Sequence, residues 1–144
     1  MIRFVAHFFL TIFFFFSLLF MYSQNSEEQI AVQYFNNREF DKAAELFEKL
    51  HENRPDSYFY SYLLQSYIEL KDYKNAEKLV KKQIKRFPNL PRYKVDLGYV
   101  FENSNQPSKA IREYEDAIKN IHAEPFYIND LANSFISRRQ YEYA

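Results

Sequence analysis

The chain has 144 residues with no Cys, no Trp and one Gly, and its 19 basic and 19 acidic side chains give a formal net charge of zero. The absence of Cys excludes disulfides, thiolate zinc sites and a Cys nucleophile, and one glycine is too few for a phosphate-binding or dinucleotide-binding loop. Zero net charge gives no electrostatic attraction to nucleic acid, and 47% hydrophobic residues is too many for a disordered chain.

Residues 1–23 have the composition of an export signal or a membrane anchor. Arg3 is followed by an apolar run over residues 4–22, and no further charged side chain occurs before Glu27. A cationic start, an apolar core and a small residue at Ser23 are typical of a cleaved signal peptide. The run is also close in length to the roughly 20 residues that span a bilayer as a helix. We therefore predict a signal peptide or a retained N-terminal anchor helix over residues 1–23, and a protein exported to the periplasm or cell envelope.

Residues 24–144 contain an internal repeat with a period of about 34 residues. The clearest column of the repeat is Ala43, Ala76, Ala110 and Ala144. Further columns with the same offsets are Ile30, Leu63, Leu97, Leu131; then Ala31, Leu64, Gly98, Ala132; then Tyr34, Tyr67, Phe101, Phe135; and Phe47, Val80, Tyr114. A fixed period of this length indicates a repeat architecture, in which each copy is one small packing unit.

Each copy reads as a pair of helices. Its apolar residues are three and four apart, which is the spacing of a helix face, and no segment alternates with period two for long enough to predict a strand. We predict helices over residues 26–37, 41–53, 57–70, 73–86, 91–103, 107–121 and 125–138. Asp41 and Asp72 stand near the starts of second helices, where carboxylates interact with exposed N–H groups. Pro107 and Pro125 suit first-turn positions.

These columns resemble the tetratricopeptide repeat (TPR), a helix–turn–helix unit of about 34 residues. The first copy supplies Ile30, Ala31, Tyr34, Phe40, Ala43, Phe47 and Pro55, and the pattern departs from the family at Leu64, Gln83, Pro107 and His122. The resemblance divides the chain into units at about 24–56, 57–90 and 91–124 and an incomplete unit at 125–144. It implies an all-α, right-handed superhelical solenoid of antiparallel helix pairs, with the first helices lining a concave face. The chain is thus identified as an exported bacterial TPR protein.

Small residues in the repeat are expected to allow close packing. Ala31, Gly98 and Ala132 would let the two helices of a unit approach each other, while aromatic residues fill the space between units. The sequence stops in the fourth unit without a polar capping helix, so we expect Phe135 and Ile136 to lack a cover. This favours the N-terminal part of a longer protein, and the alternative is self-association of the uncapped C-terminal repeat with another copy.

The sequence predicts no catalytic, metal or cofactor-binding residues. His51 and His122 lie near the ends of second helices with no neighbouring set of ligands, so a structural role is favoured. The basic run over residues 81–86 follows several acidic residues and occupies the last turns of a helix, where positive charge is favourable. We therefore predict a protein that is not an enzyme, has no cofactor, does not bind nucleic acid, and meets the membrane only through an uncleaved N-terminal segment.

The resemblance implies a peptide or partner protein bound on the concave face. The candidate contact residues are Tyr58, Tyr62, Gln65, Arg92, Tyr99, Asn129 and Asn133, within a wider set that adds Glu28, Val32, Phe35, Ser61, Glu69, Val95 and Glu102. Tyr and Arg dominate interface hot spots, although the tyrosines could instead pack between helices. One TPR subclass grips the C-terminal carboxylate of chaperone tails with basic residues. Glu28, Val32 and Asp96 occupy those positions here, which disfavours that ligand.

Two functions follow from this interpretation. The first is a scaffold or adaptor of the cell envelope that binds proteins through the TPR array. The alternative is the extracytoplasmic sensor portion of a larger signalling receptor.

Overall fold

The computed structural model describes residues 27–55, 58–121 and 124–144. Over these ranges the chain forms seven α-helices and no strand, which confirms the all-α prediction for the described residues. The helices are α1 (27–36), α2 (Phe40–Asn53), α3 (Phe59–Glu69), α4 (Tyr73–Arg86), α5 (Arg92–Asn103), α6 (Pro107–Lys119) and α7 (Pro125–Ser137). The predicted ends agree closely, and the largest difference within the described residues is at α6, which ends at Lys119 rather than residue 121. The predicted leader lies outside the described residues.

The helix starts follow the local chemistry of the sequence. Asp72 caps α4, since its carboxylate accepts a hydrogen bond from the backbone N–H of Asn75 at 3.1 Å. Asp41 lies in the first turn of α2, and Pro107 and Pro125 occupy first-turn positions of α6 and α7, as predicted. These residues lie at the starts of α2, α4, α6 and α7, and their local chemistry favours a helix start at each position.

The chain divides into two compact units, one ending at Leu63 and the other beginning at Leu64. In the first unit the fully buried residues include Ala31, Ala43, Phe47 and Phe59. In the second unit the largest fully buried side chains come from α3, α4, α5, α6 and α7, and include Leu64, Val80, Val95, Tyr114 and Phe135. Most of these buried residues belong to the repeated columns of small and large residues, and Phe59 and Val95 lie outside those columns.

The turn that follows the first helix has the same backbone geometry in all four repeats. One residue in each turn has a positive φ, namely Arg38 (64°), Lys71 (58°), Asn105 (60°) and Arg139 (60°). The next residue then donates its N–H to a carbonyl five positions earlier, as in Asp72 to Tyr67 at 2.8 Å and Gln140 to Phe135 at 2.9 Å. This is the usual left-handed termination of a helix, but it is made here without glycine. The repeat geometry thus continues through the fourth turn.

Gly98 on α5 lies directly against the ring of Tyr114 on α6. A Cβ atom at Gly98 would lie 2.2 Å from Cε1 and 2.6 Å from Cδ1 of that ring, closer than real atoms approach. The Tyr114 hydroxyl donates a hydrogen bond to Glu102 at 3.1 Å, and burial, followed by the nearby carboxylate, raises the pKa of Tyr114. The predicted close approach at Gly98 is confirmed. Ala31 is also fully buried, whereas Ala132 is partly exposed.

The expectation that Phe135 lacks a cover is wrong. Phe135 is 0% exposed, because the ring of Tyr143 stacks on it at 5.4 Å and the edge of Tyr114 contacts it at 5.7 Å. Tyr143 follows the fourth turn, so the residues after α7 fold back onto the core and supply a cover. Ile136 is half exposed, as expected. The sequence pattern missed this because Tyr143 lies outside the recurring columns.

Candidate functional site

In the first unit, Tyr58 and Tyr62 belong to an aromatic cluster. The Tyr62 ring stacks on Phe47 at 4.9 Å with an angle of 8° between the planes, and its edge contacts Phe35 at 4.9 Å. Tyr58 packs edge-on against Tyr62 at 5.8 Å, yet 49% of Tyr58 is exposed. Tyr62 is thus held between helices, and Tyr58 is the member of the pair that presents a ring to solvent.

Arg54 closes one edge of this cluster. Its guanidinium lies 4.5 Å from the centre of the Phe59 ring, a cation–π arrangement, and donates a hydrogen bond to Glu28 at 3.1 Å. Glu28 is one of the wider set of candidate contact residues, and this ion pair places its carboxylate beside the end of α2. The first unit therefore has an exposed tyrosine, Tyr58, and a charged pair whose Arg54 contacts the same ring, Phe59, that Tyr58 contacts.

In the second unit, α5 and α7 lie side by side and are joined by two ion pairs. Helix α5 supplies the cation of one pair and the carboxylate of the other. Arg92 of α5 pairs with Asp130 of α7 at 3.2 Å, and Asp96 of α5 pairs with Arg138, just after α7, at 2.7 Å. These are the first helices of the third and fourth repeats. The crossed pairs fix the register of the two helices, since a shift of one turn would separate both pairs.

The two pairs differ in their exposure to solvent. Asp96 and Arg138 have side chains that are only 10% and 14% exposed, whereas 40% of the Arg92 side chain is exposed. Burial lowers the pKa of Arg92, but the Tyr93 hydroxyl and the Asp130 and Asp96 carboxylates outweigh burial and leave that pKa raised. Arg92 is therefore cationic and committed to structure, with part of its guanidinium still accessible.

Tyr99 lies in the same part of the second unit. The Arg138 guanidinium is 4.7 Å from the centre of the Tyr99 ring. The backbone carbonyl of Tyr99 accepts a hydrogen bond from the Asn103 side chain at 2.8 Å. Asn129 and Asn133 are one turn apart on α7, and both are exposed. The structure thus brings Arg92, Tyr99 and the two asparagines onto the paired first helices α5 and α7.

Of the other predicted residues, Gln65 lies apart from these groups and Val95 lies below the surface. Gln65, on α3, donates to Glu69 at 2.9 Å within its own helix. Val95, from the wider set, is 0% exposed, so its prediction as a contact residue is wrong. Helical spacing places Val95 on the same side of α5 as Arg92 and Tyr99, three residues after the one and four before the other, so its burial comes from packing against other helices and not from its position along α5.

Asp130 and Arg138 are the residues that sequence reasoning missed. They lie 38 and 42 positions from their partners, so no local pattern connects them. The available signal was their charge: each pair joins opposite charges from the third and fourth repeats, at separations one or two helical turns longer than one repeat. Across the described ranges no group of three or more His, Cys, Asp or Glu is arranged to hold a metal ion. No helix within those ranges is long and apolar enough to cross a bilayer.

Two family models of the tetratricopeptide repeat match the chain, over residues 28–57 and 59–90. The matches together run from α1 to the end of α4. Comparison with curated proteins gives no match.

Proposed function

We propose, from the tetratricopeptide repeats at residues 28–90, that this chain is a protein–protein interaction scaffold of the cell envelope. Repeats of this family generally mediate protein–protein interaction, and proteins built from them are generally non-catalytic scaffolds. In this proposal the four repeats stack as a right-handed superhelix, and a peptide or partner protein lies along the first helices. Residues 1–23 direct the chain out of the cytoplasm.

The pairing of α5 with α7 is the observation that carries the proposal. The crossed ion pairs hold two first helices side by side at a fixed register. Rigid helices that present side chains at fixed positions bind with little ordering cost. In this proposal the half-buried ring of Tyr99, which also contacts Arg138, and the exposed amides of Asn129 and Asn133 contact the partner, since aromatic and amide groups together suit a peptide backbone and an apolar side chain.

The alternative is the sensor portion of a signalling receptor. It would use the same surface to bind a protein ligand, and the described residues contain no observation that favours it over a scaffold. The two proposals share the prediction about where the partner binds, so one experiment tests both.

Photo-crosslinking in the cell tests the location of the binding surface. A photoreactive amino acid is placed in the full chain at Tyr58, Asn129 or Asn133, all exposed and on first helices or directly before one. Matched controls carry it at Ser108 or Glu115, exposed on the second helix α6. After illumination of cells, the adducts are separated by mass and the partner is identified by mass spectrometry.

We expect the same protein to be captured from Tyr58, Asn129 and Asn133 and not from the two α6 positions. Equal capture from α6, or capture only from α6, contradicts the proposal. Recovery of the adducts in the cytoplasmic fraction contradicts the proposed location while leaving the binding surface intact.

A further inference from the structure

The second helix of the first repeat carries an acidic stripe. Asp41, Glu45, Glu48 and Glu52 are all exposed on α2, and we call these four residues the acidic face. Their alternating separations of four, three and four positions place them within one narrow stripe of the helix, about 16 Å long at 1.5 Å per residue. Glu45 also forms an ion pair with Lys49 at 3.6 Å. Both side chains are exposed, and a pair of this kind is weak enough for Glu45 to exchange Lys49 for another cation.

The second helix of the second repeat carries the opposite charge on the same stripe. Lys74, Lys78, Lys81 and Lys85 are all exposed on α4, and we call them the basic face. They line an open depression of the surface. Lys81 pairs with Glu77, the one carboxylate of α4, whereas the helix contains six Lys and Arg side chains.

The two faces occupy identical positions of the repeat. Each lysine of the basic face follows an acid of the acidic face by one repeat, the same offset that separates Ala43 from Ala76. The acidic and basic faces therefore have the same length and the same spacing of charges. Because the order four, three, four reads the same in both directions, the charges match whether the two helices dock parallel or antiparallel.

Folding of the repeat does not require these charges. The corresponding positions of the third repeat are Ser108, Arg112, Glu115 and Lys119, a mixed set, and α6 forms a helix of 13 residues with them. Like charges three and four residues apart destabilise a helix, so each stripe costs stability in its own helix. Lys74 also lies in the first turn of α4, where the helix dipole disfavours positive charge, whereas Lys85 lies in the last turn, where it is favourable.

We propose that the acidic face of one copy binds the basic face of a second copy of this chain. The partner is chosen on charge complementarity, since the chain itself carries the acidic surface with the matching spacing. The basic face has lysines and no exposed aromatic ring among them, which disfavours single-stranded nucleic acid because its bases need stacking partners. Association driven by exposed charges is steered and register-specific, and it is sensitive to salt.

Isotope-mixed cross-linking tests the contact directly. Full chains in a non-ionic detergent, one batch at natural abundance and one labelled with ¹⁵N, are mixed in equal amounts. A carbodiimide then joins carboxylates to lysines that are in salt-bridge contact. We expect peptides that link α2 to α4 with one light and one heavy partner, as roughly half of all such links in a symmetric assembly. Links only within one isotope, or no links between these helices, overturn the proposal.

Charge reversal supplies the matched controls. One variant carries Asp41→Lys, Glu45→Lys, Glu48→Lys and Glu52→Lys, and the other carries Lys74→Glu, Lys78→Glu, Lys81→Glu and Lys85→Glu. Circular dichroism checks that each variant is helical. Because the N-terminal segment is the same in all chains, any association that it causes is common to them.

Sedimentation then measures the assembly. We expect the wild type to associate at about 0.01 M ionic strength, where the Debye length is about 30 Å, and to dissociate at about 1 M, where it is about 3 Å. Each reversal variant alone should lose association by at least about tenfold, and an equimolar mixture of the two variants should recover it. A wild type whose mass is unaffected by salt, or a mixture that fails to assemble, overturns the proposal, as does a wild type whose faces bind only a different protein.

Discussion

Replacing Gly98 with alanine should destabilise the protein, although alanine is the better helix former. The added Cβ would lie 2.2, 2.6 and 2.9 Å from three atoms of the Tyr114 ring. The ring cannot move freely, since it is buried against Phe135 and Tyr143 and bonded to Glu102. Overpacking of this kind costs about 1–3 kcal/mol, and the gain in helix propensity offsets about 1 kcal/mol. We expect a net loss of up to about 2 kcal/mol in the free energy of unfolding.

The repeat supplies its own control for this prediction. In the second repeat the same two columns hold Leu64 and Val80. The second repeat thus has the larger residue in the column of Gly98 and the smaller residue in the column of Tyr114. In a Tyr114→Val background the ring is gone, and Gly98→Ala should then stabilise the protein by about 0.5–1 kcal/mol. The effect of one substitution therefore changes sign with its neighbour, a coupling of about 0.5–3 kcal/mol.

Urea unfolding followed by circular dichroism measures all four members of this cycle. The midpoints are compared only where the slopes agree, so that changes in the unfolded state do not enter. A stabilising effect of Gly98→Ala in the wild-type background would refute the close contact between α5 and α6. An equal effect in both backgrounds would show that Tyr114 is not its cause.

Three further predictions use the same assay. Arg138→Met leaves the buried Asp96 carboxylate without its ion pair and should cost about 3 kcal/mol, whereas a loss below about 0.5 kcal/mol would contradict the pairing. Lys71→Gly should stabilise by about 1 kcal/mol, since glycine adopts the positive φ without strain; Lys71→Ala should give no gain, and an equal gain from both would count against that cause. A hydrogen bond from Lys94 lowers the pKa of Asp116, which stabilises the fold above the unfolded-state pKa and is lost as the pH falls. Lys94→Met should therefore make the loss of stability between about pH 5 and pH 3 shallower, and an unchanged pH profile would contradict this.

The helices were predictable because the apolar spacing, the prolines and Asp72 all act locally. The left-handed turns were not, since the residues that adopt positive φ are Arg38, Lys71, Asn105 and Arg139 rather than glycine. Each of them follows a first helix, at the position where the hydrogen bonds that end the helix require the left-handed conformation. The turns thus form against the local preference of these residues.

The candidate site was predictable only in part. Tyr99, Asn129 and Asn133 were candidates because of the resemblance to the repeat family, and the structure places the two asparagines at exposed positions. The roles of Arg92 and Tyr62 were not predictable, because they depend on Asp130 and Phe47, which other helices contribute. A sequence pattern gives the helix face on which a side chain lies. Contacts between helices decide whether that side chain is available to a partner or is used in packing within the protein.

Binding of the cross-linked partner to matched variants tests the central claim most directly. Asn133→Arg adds one charge on α7, and Ser108→Arg adds one on the second helix α6, both at exposed sites. If the partner lies along the first helices, Asn133→Arg should weaken its equilibrium affinity at least about tenfold and Ser108→Arg should leave it within about twofold. Equal affinities of the two variants, or a loss only with Ser108→Arg, would contradict binding through the first helices.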